Sequence, residues 1–298
     1  MTSLKTPLRY PGGKSRAIKK MVQFLPDMSK YKEYREPFLG GGSVALHMTQ
    51  TYPHLEIWVN DLYEPLVNFW QQLQDEPDEI TTRLRTFKAA YPTPEKAKEL
   101  FLESKELVND ARASLVTRAV SFYIVNKCSF SGLTESSSFS KQASDSNFSI
   151  RGIEKLPAYS KLIENWKITN LSYEDLKTDD KNVFTYFDPP YEIGIPIYGK
   201  RGEMHKHFNH EEFAEDCDRH TAHMMISYNS SQKLKNRFVD WNAYDFDLTY
   251  SMRTTGDYMK EQSKRKELVL TNYGIRQQLP SEGLSKLFEP DEGISAAA

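Results

Sequence analysis

Residues 36–42 read Glu-Pro-Phe-Leu-Gly-Gly-Gly, and residues 57–61 read Ile-Trp-Val-Asn-Asp. The stretch from Tyr34 to Phe38 predicts a strand that runs into the three glycines, and a helix follows through His47. The second stretch begins with another short strand, after which the apolar residues between Leu62 and Leu73 recur at helical spacing. This succession of strand, loop, helix, strand and helix is typical of an α/β fold with a mostly parallel sheet flanked by helices.

The middle of the chain departs from this alternation. After residue 74, helices are predicted around Ala97–Val108 and over Leu115–Asn126, whereas Cys128–Gly152 is rich in Ser and Phe and predicts a loop and a hairpin. We therefore predict a main domain interrupted by a smaller insertion. The predicted limits are 1–73 for the N-terminal part of the main domain, 74–156 for the insertion, 157–276 for the C-terminal part and 277–298 for a disordered tail.

The alternation of strands and helices resumes after the insertion. Further strands are predicted at Trp166–Leu171, Val183–Phe187, Met224–Ser227, 246–250 and Glu267–Asn272. The sheet that begins in the first part of the chain is thus expected to continue in the second half.

Bulk composition excludes several classes of protein. Of the 298 residues, 39% are hydrophobic, and no apolar run approaches the roughly 20 residues that a membrane helix needs. The first residues carry no apolar signal core, so we expect a cytoplasmic protein without membrane attachment. Cys128 and Cys217 are far apart and match no metal or redox spacing, so no metal is expected. The formal net charge of -2 does not by itself indicate a nucleic-acid partner.

The tetrapeptide Asp188-Pro189-Pro190-Tyr191 carries the strongest chemical signal, directly after an apolar strand. Two consecutive prolines restrict the backbone and remove two amide donors, which leaves the Asp188 carboxylate and the Pro189 carbonyl as acceptors for one amine. The ring of Tyr191 can lie flat against a planar base. Such a site orients a ring amine for attack on a methyl sulfonium, and it needs no nucleophilic side chain. The alternative is a strand end at which Asp188 merely caps the following segment.

The glycine-rich loop and Asp61 leave several interpretations open. Glycines between a strand and a helix let the backbone approach a ligand closely, and an acid after the next strand can bind ribose hydroxyls. Gly40, Gly42 and Ala45 also satisfy a loose dinucleotide pattern, so an NAD-dependent oxidoreductase and a plain turn both remain alternatives for this motif alone. Residues 9–15 approach a phosphate-binding P-loop, but Leu8 stands where that motif requires its first glycine.

In their order along the chain and in their residues, these motifs resemble those of the Dam-type family of N6-adenine DNA methyltransferases. The opening motif of that family is present as Tyr10–Lys14, its Glu-Pro-Phe motif as Glu36–Gly42, its Asn-Asp as residues 60–61 and its catalytic motif as Asp188–Tyr191. The resemblance extends from Leu8 to about Tyr273. It implies a class I S-adenosylmethionine-dependent methyltransferase fold, with S-adenosylmethionine as methyl donor and double-stranded DNA as substrate.

The resemblance also implies roles for the residues of the catalytic motif. Asp188 and Pro189 would accept hydrogen bonds from the N6 amine of adenine, and Tyr191 would stack on the base, with Pro190 completing the catalytic set. Because this amine is buried in the duplex, the base would be flipped out before the reaction.

A second set of residues would hold the cofactor. The resemblance places the methionine part of S-adenosylmethionine against Tyr10, Lys14 and the loop Phe38–Gly42, and its ribose hydroxyls against Asp61. The full cofactor-binding set that it implies is Tyr10, Gly12, Lys14, Pro37, Phe38, Gly40, Gly42, Asp61, Leu62 and Asp188.

The insertion corresponds to the mainly helical target-recognition domain of the family. The residues expected to contact DNA are Arg118, Asn126, Lys127, Ser131, Lys141 and Arg151. Ser131 replaces an Asn of the family and the Arg that follows it there is absent, so the target sequence GATC is not implied. The family has a further acid after the strand predicted at Trp166–Leu171, which contacts the adenine of the cofactor. In the simplest alignment that position is Ser172 in this sequence, and Glu174 or Asp175 could make the contact instead.

Three rival functions are weaker. An RNA or protein-amide methyltransferase does not account for the insertion or for the order of the motifs. A dinucleotide-dependent oxidoreductase leaves Asp188–Tyr191 and Tyr10–Lys14 unexplained. A catalytically silent DNA-binding subunit would have no reason to keep Asp61 and the catalytic motif. A restriction–modification system or a phage is a compatible context for the expected activity.

Overall fold

The computed structural model describes residues 3–132, 137–191, 208–247 and 266–275. The predicted disordered tail, 277–298, lies outside the described residues, and so do the last residues of the strand predicted at 246–250. The side chain of Ser131 lies outside them as well.

The described residues form one seven-stranded sheet. Its strands are β1 (Glu33–Glu36), β2 (Glu56–Asn60), β3 (Lys167–Thr169), β4 (Val183–Phe187), β5 (His223–Asn229), β6 (Asn242–Asp247) and β7 (Lys266–Thr271). The order across the sheet is β3-β2-β1-β4-β5-β7-β6. Strand β7 runs antiparallel to β5 and β6, and the other neighbouring pairs are parallel. This sheet confirms the predicted class I methyltransferase fold.

Strand β4 is the central strand of the sheet, and it lies beside β1, where Glu33 pairs with Val183 in parallel register. Strand β4 is buried over its whole length, as expected for a strand that is covered on both faces. From β1 the chain continues outward to β2, whereas β5 lies on the opposite side of β4. The loops after β1 and β4 therefore diverge, and they open a crevice at the carboxyl edge of the sheet, where such folds bind ligands.

Helices flank the sheet and build the middle of the chain. Those in the described residues are α1 (Ile18–Met21), α2 (Ser43–Thr51), α3 (Glu64–Asp75), α4 (Pro77–Ala90), α5 (Pro94–Leu107), α6 (Leu115–Cys128), α7 (Lys141–Ser146), α8 (Ile150–Ile153), α9 (Leu156–Leu162), α10 (His210–Asp218) and α11 (Gln232–Arg237). No helix among these is long and apolar enough to cross a membrane.

Helix α6 is the centre of the helical segment, which we define as residues 77–162. It packs against α3, α4, α5 and α7, and its residues from Ala119 to Asn126 are all buried. The helices predicted around Ala97–Val108 and over Leu115–Asn126 are therefore confirmed as α5 and α6. Helix α4 was not predicted, because only Ile80, Thr81 and Leu84 of its fourteen residues are buried and its apolar stripe is short.

The loop and hairpin predicted for Cys128–Gly152 are observed only in part: the described residues contain one antiparallel bridge, and helices form the remainder of the segment. A single β-bridge joins Ser129 to Phe139, and helices α7 and α8 follow it. Serines begin both helices: the hydroxyl of Ser140 accepts from the amide of Ala143, and the hydroxyl of Ser149 accepts from the amide of residue 152. The serine-rich composition that suggested turns thus supplies N-caps instead.

Candidate active site

A cleft opens at the carboxyl edge of the sheet, at the ends of β1, β2 and β4. It is lined by residues from three parts of the chain that are far apart in sequence: Tyr10–Lys14, the loop after β1 with Asp61, and Asp188–Tyr191. All four residues of the predicted catalytic set and most of the predicted cofactor set lie here. The fold therefore brings together the blocks that the sequence analysis singled out.

The loop after β1 turns sharply into helix α2. Gly40 and Gly42 have φ angles of 49° and 67°, a left-handed conformation that glycine adopts without strain. Gly42 does not line the cleft, and a Cβ at this position would lie 2.8 Å from the ring of buried Trp70. Its contribution is the turn and the close packing on α3, while Gly40 and Phe38 face the cleft.

Asp61 is joined to this loop by hydrogen bonds. One carboxylate oxygen accepts from the backbone amide of Gly40 at 2.9 Å, and the other accepts from the amide of Tyr63 at 3.0 Å. Burial raises the pKa of Asp61 to about 6, and the backbone N–H groups oppose that rise. A carboxylate oxygen has more than one acceptor site, so both oxygens keep capacity for a hydroxyl donor in the cleft.

Lys14 and Asp188 form a partly buried ion pair in the cleft, with the Lys14 side chain 3% and the Asp188 side chain 21% exposed. The ammonium lies 2.7 Å from each oxygen of Asp188 and donates to the carbonyl of Gly12 at 3.0 Å. It also lies 4.8 Å from the centre of the Tyr191 ring. Burial raises the pKa of Asp188, while the Lys14 ammonium acts in the opposite direction. A nitrogen donor can therefore reach the Asp188 carboxylate while it lies against the Tyr191 ring.

Three polar side chains behind the catalytic motif were quoted in the sequence blocks without being given a role. Ser227, in the second half of β5, donates to one oxygen of Asp188 at 2.8 Å. Glu267, on β7, accepts from the Tyr191 hydroxyl at 2.8 Å and is 2% exposed. Glu36, at the end of β1, lines the cleft and accepts from the Tyr34 hydroxyl at 2.7 Å. For Ser227 and Glu267 the available signal was a hydroxyl or an acid beside an apolar stretch, whereas Glu36 lies in a polar strand.

A second cleft adjoins the first, and Phe38 lines both. Its walls include the predicted cofactor residues Pro37 and Leu62. The side chains of Leu62 and Leu171 are 61% and 41% exposed, which leaves apolar surface available to a flat ring.

The second cleft also distinguishes Glu174 from Asp175, the two acids that could replace the family acid absent at Ser172. Glu174 lines this cleft, whereas the carboxylate of Asp175 accepts from the amide of Ser172 within a capping box. Glu174 is therefore the acid that is placed to meet a ligand here.

Three of the residues expected to contact DNA make contacts within the protein. Asn126 is fully buried; its side-chain oxygen accepts from the amide of Arg9, and its nitrogen donates to the carbonyls of Arg9 and Gly132. Arg118 forms an ion pair with Glu64 of α3 and donates to a backbone carbonyl, so its guanidinium is engaged within the protein.

Lys127 donates to a backbone carbonyl near the N-terminus, and burial lowers its pKa to about 8. The exposed candidates are Lys141, which pairs with Glu95, and Arg151. Within the described ranges, no group of three His, Cys, Asp or Glu side chains is placed to hold a metal ion.

The match to known proteins covers most of the chain. A sequence profile described as D12 class N6 adenine-specific DNA methyltransferase matches residues 10–252. The type II methyltransferase M1.LlaDCHI of Lactococcus lactis subsp. cremoris is 26% identical over 282 residues, which are 89% of this chain and 94% of that protein. The type II methyltransferase M.MjaIII of Methanocaldococcus jannaschii is 28% identical over 196 residues, 62% of this chain and 68% of its own.

A DNA N-6-adenine-methyltransferase of Escherichia phage P1 shares a shorter region. It is 29% identical over 126 residues, which are 42% of this chain and 15% of the phage protein. The profile match, by contrast, spans all the blocks that line the cleft. On this evidence the chain belongs to the D12 class N6 adenine-specific DNA methyltransferase family, and it is an adenine-specific DNA methyltransferase.

Proposed function

We propose that this enzyme is of the Dam type and methylates N6 of adenine at one short sequence in duplex DNA, after the base has been flipped into the cleft. The observation that carries the proposal is the joint placement of the intact motif Asp188–Tyr191 and of the glycine loop with Asp61 in one cleft. A base that is still stacked in the duplex does not expose its N6 amine to such a recessed site, so extrusion is part of the proposal.

Membership of a methyltransferase family implies S-adenosylmethionine as the methyl donor, which supplies an activated methyl group with its own leaving group when bound. The two adjoining clefts fit its parts. Asp61 offers acceptors for ribose hydroxyls, and Leu62 and Leu171 offer apolar surface for an adenine ring. Glu174 supplies an acceptor for the exocyclic amine of that ring. Lys14 supplies a positive charge, and Glu36 a carboxyl group, for the zwitterionic end.

The catalytic motif acts on the target amine. In our proposal the N6 amine replaces the Lys14 ammonium at the Asp188 carboxylate, and the Pro189 carbonyl accepts its second hydrogen. These acceptors direct the nitrogen lone pair at the methyl group, while Tyr191 holds the plane of the base. The contact between Lys14 and Asp188 supports this role, because it places a nitrogen donor 2.7 Å from the carboxylate oxygens.

Transfer of labelled methyl from S-adenosylmethionine to mixed duplex DNA tests the proposal, when it is followed by nucleoside analysis and sequencing of the methylated sites. Label in N6-methyladenine at one recurring motif is the expected result. Label confined to RNA or protein would contradict the proposal, and label spread over all adenines would remove its sequence specificity.

The affinity for S-adenosylmethionine should fall as the pH is lowered through about 6. Burial raises the pKa of Asp61 to about 6, so this carboxylate becomes protonated there and loses acceptor sites for ribose hydroxyls. Isothermal titration from about pH 5 to about pH 8 measures the effect. The Asp61→Asn variant, which does not titrate at this position, should show a flat profile. The same slope in that variant would assign the dependence to another group.

We also propose that residues 74–156 form the target-recognition domain, with Lys141 and Arg151 on its DNA-binding surface. Each phosphate contact that is lost should reduce the salt dependence of DNA binding by roughly 0.9 in the log–log slope. Binding of Lys141→Ala and Arg151→Ala to duplex DNA at several salt concentrations measures this. Lys161→Ala is the matched control, since Lys161 is an exposed, ion-paired lysine outside this domain. Equal slopes in all three variants would show that Lys141 and Arg151 do not lie on the DNA-binding surface.

A further inference from the structure

Strands β4 and β5 place three side chains on one face of the sheet, behind the catalytic motif. Tyr186 pairs with Met225 and Phe187 with Ile226 in parallel register, so Asp188 and Ser227 each follow the last residue that is paired between these two strands. Side chains two residues apart on a strand point to the same face, which puts Tyr186 and Asp188 on one side. The register thus brings the Ser227 hydroxyl between the phenol and the carboxylate.

These side chains form a directed chain of hydrogen bonds. Ser227 donates its single hydroxyl hydrogen to Asp188 Oδ1 at 2.8 Å. The Tyr186 oxygen lies 2.7 Å from Ser227 Oγ, and because the serine hydrogen is already used, the phenol is the donor. Burial raises the pKa of Tyr186 well above its ordinary value, so this phenol keeps its hydrogen. Ser227 and Tyr186 are both fully buried, which excludes water as a competing partner.

The contact from Ser227 distinguishes the two oxygens of the carboxylate. Lys14 lies 2.7 Å from both oxygens, whereas Ser227 contacts Oδ1 alone. A donor on one oxygen fixes the rotation of the carboxylate about its Cβ–Cγ bond, and Pro189 restricts the backbone that follows. Hydrogen bonds to the ionised form also oppose the rise in the pKa of Asp188 that burial causes.

We propose that Ser227 is a positioning residue for methyl transfer: supported by Tyr186, it holds Asp188 in the orientation that receives the target amine. Ser227 does not touch the amine, and it acts only through the carboxylate. The inference rests on the proposed role of Asp188. It implies that loss of the serine hydroxyl slows the chemical step and leaves the binding of S-adenosylmethionine unchanged.

The test is the single-turnover rate of methyl transfer on a DNA duplex that contains the methylated motif, measured across pH. Ser227→Ala should lower the rate about 10- to 100-fold, the effect of one hydrogen bond to a charged group. Its acid limb should move to higher pH, because Asp188 loses a donor that favours the ionised form. Tyr186→Phe should show a smaller loss in the same direction, since the bond from Ser227 to Asp188 remains.

Thr271→Val is the matched control. Thr271 is fully buried on the neighbouring strand β7, where it pairs with Met225, and its hydroxyl donates to the carbonyl of Tyr273 at 2.8 Å rather than to Asp188. In this variant the acid limb of the rate against pH should stay at its wild-type position. Ser227→Ala with a wild-type rate and pH limb would overturn the inference, as would equal losses in Ser227→Ala and Thr271→Val. If Asp188→Ala, measured in parallel, keeps full activity, the proposed role of Asp188 fails and the positioning role fails with it.

Discussion

Asp188→Ala should lower the single-turnover rate of methyl transfer by about a thousandfold or more, with binding of S-adenosylmethionine largely retained. In the proposed mechanism the carboxylate is the acceptor that orients the N6 amine, and the loss of one preorganised group at a reacting centre costs on the order of a hundred- to a thousandfold. Loss of the correct orientation of the amine adds to that cost. Filter-based transfer of labelled methyl measures the rate, and isothermal titration measures the cofactor affinity.

The folding of this variant needs its own control, because removal of Asp188 leaves the buried Lys14 ammonium without its carboxylate. Removing one partner of a fully buried ion pair costs about 3–5 kcal/mol, and the partial exposure of Asp188 reduces that cost here. Asp188→Asn keeps the shape and one acceptor oxygen, so it should fold well and lose less activity than Asp188→Ala. Thermal unfolding of both variants separates loss of folding from loss of function. A folded Asp188→Ala enzyme with full activity would falsify the proposed mechanism.

Asp61→Ala should raise the dissociation constant for S-adenosylmethionine about 10- to 100-fold. The carboxylate is proposed to accept hydrogen bonds from ribose, and hydrogen bonds to a charged group contribute about 1.5–3 kcal/mol. The variant also removes the acceptor for the Gly40 amide, which holds the glycine loop against the end of β2. The maximal rate at saturating cofactor should change much less than the affinity, because Asp61 does not contact the amine.

The comparison variant for this measurement is Asp175→Ala. Asp175 is an exposed acid whose carboxylate accepts one backbone amide, from Ser172, outside the first cleft. It should keep the wild-type dissociation constant. An unchanged constant in Asp61→Ala would remove the ribose role, and an equal rise in both variants would point to a general effect of charge.

The cleft residues were predictable because each block has a local signature. Glycines after a strand, an acid after the next strand and an acid followed by two prolines each constrain the backbone nearby. The parallel sheet then gathers the ends of β1, β2 and β4 at one edge, so local signatures become one site. The glycine loop alone was also compatible with a dinucleotide enzyme, and the family match decided between them.

The predictions for DNA contacts were harder, since charge in a sequence does not tell whether a side chain faces solvent. Asn126 and Lys127 lie at the end of α6, where their polar groups join the segment of Arg9 to the helical segment. Arg118 joins α6 to α3 through Glu64. Such contacts link residues more than fifty positions apart, so only the packed chain reveals them.

The amino-acid sequence by itself determined the class of fold, and it singled out the motif that we propose to be catalytic and the loop that we propose to bind the cofactor. These depend on strand and helix periodicity and on short motifs, whose physical constraints act between near neighbours. The tertiary structure alone decided that Lys14 pairs with Asp188, that Ser227 and Glu267 form hydrogen bonds with Asp188 and Tyr191, and that Asn126 faces inward. Those contacts depend on strand register and helix packing across the whole chain, so they cannot be inferred from a local sequence pattern.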